Sequence, residues 1–226
     1  MDFDRLSSKY FGATAREYDS HRLGPKWMAE QQAVEEFLQK VPEGSTVLDA
    51  PTGTGRLIPL LASRSFAVHG VDVSTDMLSE ANQRAKQSGV RVHLQQADVR
   101  HIPFPDGNFN LVICLRFMNW VNEEGVAAVV KELSRVSDAK LLIGIRYLTP
   151  TKELNRSGAD LLRRAAKFFH LPSMRARRWG IILHKKEFIE ALFKDNGLTI
   201  VERRMIERRW DATDYVFYWL AKVGHA

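Results

Sequence analysis

Apolar positions recur at helical spacing through residues 26–41, where Trp27, Val34, Phe37, Leu38 and Val41 share one face, so the chain is expected to form an amphipathic helix there. The period then changes. Thr46–Ala50 is a short apolar run, the turn Pro51-Thr52-Gly53-Thr54-Gly55 follows, and Leu57, Leu60 and Leu61 resume helical spacing, which together predict a strand–turn–helix unit. The alternation continues with a strand over 66–71 and a helix over 75–88, with Met77, Leu78, Ala81 and Ala85 inward and Ser88-Gly89 as its stop. A strand at about 91–96 and a turn-rich stretch from His101 to Asn108 lead to an apolar strand over 111–115. Next come a helix near 123–136, with Val126, Val129, Val130 and Leu133 inward, and a strand at 141–147. Strands alternating with helices imply an α/β fold built on a parallel sheet covered on both faces.

The rhythm breaks at Thr149-Pro150, which resemble an N-cap and a first-turn proline. Leu154, Gly158, Leu161, Leu162, Ala165, Ala166 and Phe169 then mark a long amphipathic helix that stops before Pro172. A helix at 187–196 closed by Asn196-Gly197, a strand over Leu198–Met205 and a last strand over Tyr215–Ala221 resume the sheet pattern. The expectation is one domain spanning 1–226, with an N-terminal helical cap (1–45), a ligand-binding core (46–148), a lid insertion (149–184) and a C-terminal helix and strands (185–226) that complete the sheet. No internal repeat or low-complexity segment interrupts it.

Composition narrows the class. The 226 residues are 45% apolar and 27% charged, an ordinary globular balance at a length that holds a core without staples. A single cysteine, Cys114, excludes a disulfide framework and any Cys-based metal cluster, and it reads as a small buried apolar residue. No apolar run approaches a membrane span, and the acidic start Met1-Asp2-Phe3-Asp4 is unlike a secretory signal, so the expected location is cytoplasmic. Charge is uneven: residues 1–150 carry 17 Lys+Arg against 18 Asp+Glu, whereas residues 151–226 carry 16 against 9. Arg163 to Lys186 holds eight cations and no acid, which suggests an anionic partner beside the expected lid.

Parallel sheets bind ligands at the carboxyl ends of their strands where the order reverses, and the glycine turn sits there. Gly53 and Gly55 allow a close backbone approach ahead of a helix N-terminus. Asp72 ends the second strand, where a carboxylate can accept both hydroxyls of a ribose, and Asp98 ends the third, within reach of an adenine amino group. Three carboxylates after three strands suit an adenosine ligand with an uncharged tail and repel a phosphate-rich one. A nicotinamide fingerprint needs a third glycine where Ile58 stands, and a P-loop needs Gly-Lys-Ser/Thr where Gly55 is followed by Arg56-Leu57.

With these motifs the sequence resembles the class I S-adenosylmethionine-dependent methyltransferases, in the group of small-molecule and quinone-type enzymes. Residues 47–56 (VLDAPTGTGR) look like the family's first motif, 71–74 (VDVS) like its ribose motif, 95–114 like its adenine-site motif running into the fourth strand, and 10–22 like its opening segment over the cofactor. The resemblance implies a Rossmann-like, seven-stranded, mostly parallel sheet with the last strand antiparallel. It implies that Asp49, Gly53, Thr54 and Gly55 face the methionine part, Asp72 the ribose, Val73 and Met77 the adenine ring, and Asp98 and Val99 its amino edge, with Tyr18 closing the site over S-adenosylmethionine and its product S-adenosylhomocysteine. Pro51 stands where the family usually has its first glycine, and Asn110 where an acidic residue commonly begins the fourth strand.

Catalysis on such a cofactor rests mostly on alignment, and a hydroxyl acceptor would also need a base. Position after the fourth and fifth strands nominates Arg116, Phe117, Asn119, Trp120, Arg146 and Tyr147 for the acceptor wall, and Arg175, Arg177 and Arg178 for gripping an anion. His21, His170 and His184 lie in segments that reach toward the acceptor, although a histidine picked by location alone is usually structural. Trp179 and Trp210 read equally as packing anchors or binding residues. The expected acceptor is a small or lipid-linked molecule bearing phosphate or carboxylate, and no metal is expected. RNA methylation, peripheral contact with anionic lipid, and a non-catalytic protein that only binds the cofactor stand as alternatives.

Overall fold

The computed structural model describes residues 25–148, 181–208 and 213–224. Tyr18, His21, His170, Arg175, Arg177, Arg178, Trp179, Trp210 and the expected helix after Pro150 lie outside the described residues. Helix α1 (Pro25–Leu38) leads to β1 (Thr46–Asp49), α2 (Ile58–Ala62), β2 (Ala67–Asp72), α3 (Thr75–Gln87) and β3 (Val92–Gln96). Then follow β4 (Phe109–Cys114), a 3₁₀ turn (Met118–Trp120), α4 (Glu123–Val136), β5 (Ser137–Leu148), α5 (Lys186–Asp195), β6 (Leu198–Arg208) and β7 (Thr213–Lys222).

The strands form one sheet in the order β3-β2-β1-β4-β5-β7-β6. β7 runs antiparallel to both of its neighbours, and the other pairings are parallel, as the resemblance implied. The order reverses between β1 and β4, so a ligand crevice opens at the carboxyl ends of these two strands.

Alternate residues of the buried strands feed two cores. On one face Leu48, Val71, Val112 and Ile143 pack against Val126, Val129, Val130 and Leu133 of α4 and Ile189 and Phe193 of α5. On the other, Val47, Leu111, Ile113, Leu142, Phe217 and Trp219 meet Ala33, Val34, Phe37 and Leu38 of α1. The inward set expected for α4 is fully buried, whereas Leu78 of α3 is only half-buried. α3 and α4 start on side-chain caps: the Met77 N–H donates to Ser74 Oγ (3.2 Å) and the Gly125 N–H to Asn122 Oδ1 (2.9 Å). Asn110, at the unusual family position, accepts from the Thr46 N–H at 2.9 Å and so ties the start of β4 to that of β1.

Three strands are longer than their hydrophobic pattern predicts. β5 starts directly at the end of α4, and its register with β4 shifts between Phe109 and Leu111. β6 shifts register against β7 at Ile200/Glu202 and at Met205/Glu207, which breaks the two-residue alternation by which a strand is recognised. β5 and β7 also approach closely at Gly144, where a Cβ would overlap the Tyr215 hydroxyl and lie 2.8 Å from its Cζ and 2.9 Å from Leu115 Cδ2. Gly144→Ala is therefore expected to lower unfolding free energy by about 1–3 kcal/mol. An unchanged urea midpoint would contradict this packing.

Candidate cofactor and acceptor site

The glycine turn is stapled to both neighbouring strands before it leaves the sheet. The Ala50 N–H donates to the Ile113 carbonyl of β4 (2.9 Å), and the Thr52 N–H to the Val71 carbonyl of β2 (2.8 Å). The peptide between Ala50 and Pro51 is cis, and Gly53 and Gly55 have φ of +55° and +70°. Both conformations favour glycine, but the two residues do different work. A Cβ at Gly53 would meet no atom of the described residues within 4 Å, so that part of the turn is open on their side. At Gly55 it would lie 2.5 Å from Ile58 Cδ1 and 2.9 Å from the Ala81 backbone, so the missing side chain is what lets α2 pack on α3.

Three expected carboxylates line this end of the sheet, in three different electrostatic states. Asp72 accepts from the Gly53 N–H and the Ser74 N–H, both at 2.9 Å. Burial raises its pKa, and these backbone donors oppose the rise. Asp49 is buried and, among the described residues, accepts one side-chain hydrogen bond, from the Thr52 hydroxyl at 3.0 Å. Burial pushes its pKa up to about 7 despite Thr52 and Arg56, and Asp72 adds to the rise. Asp98 is bound by its neighbour: the Arg100 guanidinium donates to both of its oxygens, and the Arg100 backbone N–H adds a bond of 2.8 Å. Burial alone would raise its pKa, but the Arg100 bonds outweigh it and hold the carboxyl below the usual range. Val73 is 41% exposed at the mouth of the site, while Met77, Val99 and Thr54 are buried behind it.

The residues nominated for the acceptor wall gather at the same rim, after β4 and at the end of β5. The polar groups of Arg116, Asn119, Trp120 and Arg146 are engaged by the protein itself. Arg116, at φ +62°, donates through Nε to Glu30 Oε2 (2.8 Å) and forms a second bond to it through Nη2. Its guanidinium lies 4.0 Å from the Tyr215 ring centroid and 4.6 Å from that of Trp27. Arg146 is buried and donates to Glu207 (2.7 Å) and to the Thr213 hydroxyl (3.2 Å). Trp120 Nε1 donates to the Arg116 carbonyl at 3.0 Å, and Phe117 packs against the α4 core. Tyr147 is buried on that same core face, 6.2 Å from Tyr218 ring to ring. His184 is also buried, with Nε2 3.0 Å from the Met118 carbonyl. A carbonyl only accepts, so Nε2 carries the proton.

Sequence reasoning missed the centre of this network. Glu30 is fully buried in α1, and its other oxygen accepts from Arg56 Nη2 at 2.5 Å. One carboxylate thereby joins α1 to the glycine turn and to the loop after β4. The signal was available, because Glu30 precedes Ala33, Val34 and Phe37 at helical spacing and is the acid on an otherwise apolar stripe. Among the described residues, no cluster of three or more His, Cys, Asp or Glu could hold a metal ion, and no helix is long and apolar enough to cross a membrane.

Residues 47–139 match the family model of a methyltransferase domain. A magnesium-protoporphyrin O-methyltransferase from Synechocystis is 27% identical over 170 residues, 74% of this chain and 68% of that protein. A demethylmenaquinone methyltransferase from Thermus thermophilus is 37% identical over 126 residues, 54% of this chain and 55% of that protein. The matched regions thus span about half to two thirds of these relatives. The crystal structure of magnesium protoporphyrin IX methyltransferase from Synechocystis with bound S-adenosylhomocysteine has a TM-score of 0.74 at 20% identity, covering 98% of this chain and 100% of that one, which shows the shared fold. The matched domain, the relatives and the shared fold all support the resemblance to the class I S-adenosylmethionine-dependent methyltransferases.

Removing the charge at Glu30 would strip Arg56 and Arg116 of the carboxylate they share, leaving Arg116 its longer ion pair of 3.8 Å with Glu207. Glu30→Gln is expected to cost about 3 kcal/mol in urea unfolding, because breaking a buried ion pair strands its partners. A loss within the scatter of a surface substitution would show that the pairings do not hold α1 in place.

Proposed function

We propose that the rim of β1, β2 and β3 binds S-adenosylmethionine and that the chain transfers its methyl group to a small-molecule acceptor bearing phosphate or carboxylate. The observation that carries the first part is the buried Asp49, with one side-chain donor among the described residues, beside the open side of Gly53. A buried carboxyl with a pKa of about 7 gains most from a cation, and the donor brings a sulfonium and an ammonium.

In this reading Asp49, the Gly53 backbone and Thr54 hold the methionine end, with Gly55 shaping the turn beneath it. Asp72 keeps its two backbone donors and takes the ribose hydroxyls on its remaining lone pairs. Val73 and Met77 bracket the adenine ring. Val99 closes the amino edge together with whatever acceptor capacity Arg100 leaves to Asp98, and Tyr18 covers the site as the family resemblance implies. The bound cofactor supplies a methyl group on a sulfonium, which becomes a neutral thioether. What the protein adds is alignment and exclusion of water, a contribution on the order of 7–11 kcal/mol in well-oriented reactions.

The acceptor class rests on the relatives and on charge. The relatives' names specify a porphyrin, a quinone precursor and, for a protein from Cereibacter sphaeroides, phosphatidylethanolamine. Arg116 and Arg146 already face Glu30 and Glu207, so recognition of an anion is assigned to Arg175, Arg177 and Arg178. Fractionated cell extract incubated with methyl-labelled donor is expected to carry label in the small-molecule or lipid fraction. Label confined to RNA would replace the acceptor assignment, and binding without any transfer would replace the enzyme by a cofactor-binding protein.

Asp49 makes donor binding pH-dependent. Its carboxyl is about half protonated near pH 7, and the bound cation favours the ionised form, so binding releases protons and tightens as pH rises. Donor affinity is expected to gain roughly tenfold between pH 6 and pH 8. S-adenosylhomocysteine, which lacks the sulfonium, should gain less. Asp49→Asn should abolish the dependence, and Asp72→Ala should weaken both ligands at every pH. Calorimetry in buffers of different ionisation enthalpy measures the proton release, and equal values for wild type and Asp49→Asn would remove Asp49 from the site.

A further inference from the structure

β4 stops pairing with β5 at Cys114↔Ile143, yet β5 runs on to Leu148. Beyond that point the place beside β5 is taken by one side chain. Asn119 Oδ1 accepts from the Arg146 N–H (2.8 Å), and Asn119 Nδ2 donates to the Arg146 carbonyl (2.9 Å). The same Nδ2 donates to the Ile182 carbonyl (2.8 Å), and the Ile182 N–H returns a bond to the Asn119 carbonyl (2.8 Å). An amide is the side chain that offers an acceptor and two donors in one plane, and here all three are used. Asn119 thus reproduces a peptide unit between two stretches of backbone. One precedes residues 149–180, and the other follows them.

We infer that Asn119 is a positioning residue for the acceptor side of the site: it binds Arg146 near the end of β5 and Ile182 of the return segment to the loop after β4, so that these parts of the rim are held at one point. The inference rests on the methyl-transfer reading for its consequence but not for its geometry. Arg146 and Ile182 are bonded to Asn119 whatever the acceptor is. His184 adds a tie from the same return segment through Nε2–H to the Met118 carbonyl, one residue before Asn119. The cofactor turn shares none of these bonds. Its staples run to Val71, Ile113 and Asp72, so loosening Asn119 separates acceptor binding from donor binding.

Asn119→Asp is the sharpest test, because it keeps the shape and the acceptor toward the Arg146 N–H. It removes both donors and sets a carboxylate against the Arg146 and Ile182 carbonyls. Hydrogen exchange of the Ile182 and Arg146 amides is expected to quicken about tenfold or more, with Val47–Asp49 unchanged. With a protoporphyrin, a demethylated naphthoquinone and phosphatidylethanolamine vesicles as acceptor probes, KM for whichever is methylated should rise about tenfold while the donor Kd stays within about twofold. As pH falls the carboxyl takes up a proton, regains one donor and recovers part of the KM defect, whereas the defect of Asn119→Ala stays flat. A general loss of packing would show no such pH rescue. Should the Asp variant not fold, Asn119→Ala carries the exchange and KM measurements. Unchanged exchange at Ile182, or equal losses of donor and acceptor affinity, would overturn the assignment. If no probe is methylated, the function proposed above fails while the exchange experiment still decides the role of Asn119.

Discussion

A carboxylate taken out of water must be surrounded by donors, paired with a cation or protonated, and the carboxyl edge of this sheet is organised by three that resolve the problem in different ways. Glu30 is paired with Arg56 and Arg116, which fixes α1 against the two loops that flank the topological switch. Asp72 is surrounded by backbone N–H groups of the glycine turn and of the start of α3, so it closes the turn onto β2. Asp49 has one hydroxyl donor among the described residues, and burial raises its pKa to about 7. The first two build a rigid frame, and the third is left wanting charge. A group that would be stabilised by a cation is thereby placed inside a frame whose own pairings hold it together.

The division of labour between the glycines follows the same logic. Gly55 belongs to the protein, because its bare Cα admits Ile58 and Ala81 and brings α2 against α3. Gly53 belongs to the ligand side, where its N–H serves Asp72 and its Cα is not crowded by any described residue. Two glycines one residue apart in the motif, with Thr54 between them, therefore answer to different constraints, and spacing alone does not separate them.

That contrast indicates what could be read from the chain. Strands buried on both faces, such as Leu111–Cys114, and the strongly amphipathic α4 were legible because local pattern and tertiary environment agree. The ends of β5 and β6 were not, since register shifts at Phe109/Leu111 and Ile200/Glu202 disturb the alternation that marks a strand. Asp49 and Asp72 were placed correctly at the carboxyl edge, because strand ends in a parallel sheet converge by topology. Arg116, Asn119 and Arg146 were also placed at the rim, but their partners were hidden: Glu30 lies 86 residues from Arg116 and Glu207 lies 61 from Arg146. Contacts of that sequence separation leave no local signature beyond an acid on an apolar stripe.

Charge along the rim gives the site a direction. The β1–β3 end carries Asp49, Asp72 and Asp98, with Arg100 opposite the last of them. Toward β4 and β5, Arg116 and Arg146 are matched by Glu30 and Glu207, and Arg56 of the glycine turn shares Glu30. In the proposed reading, the surplus of carboxylates at the β1–β3 end attracts a cationic donor before it makes a specific contact. Transfer of the methyl group removes the sulfonium charge, which weakens the hold of the acidic end on the spent cofactor. The same surplus that attracts the donor thus favours release of the product over rebinding.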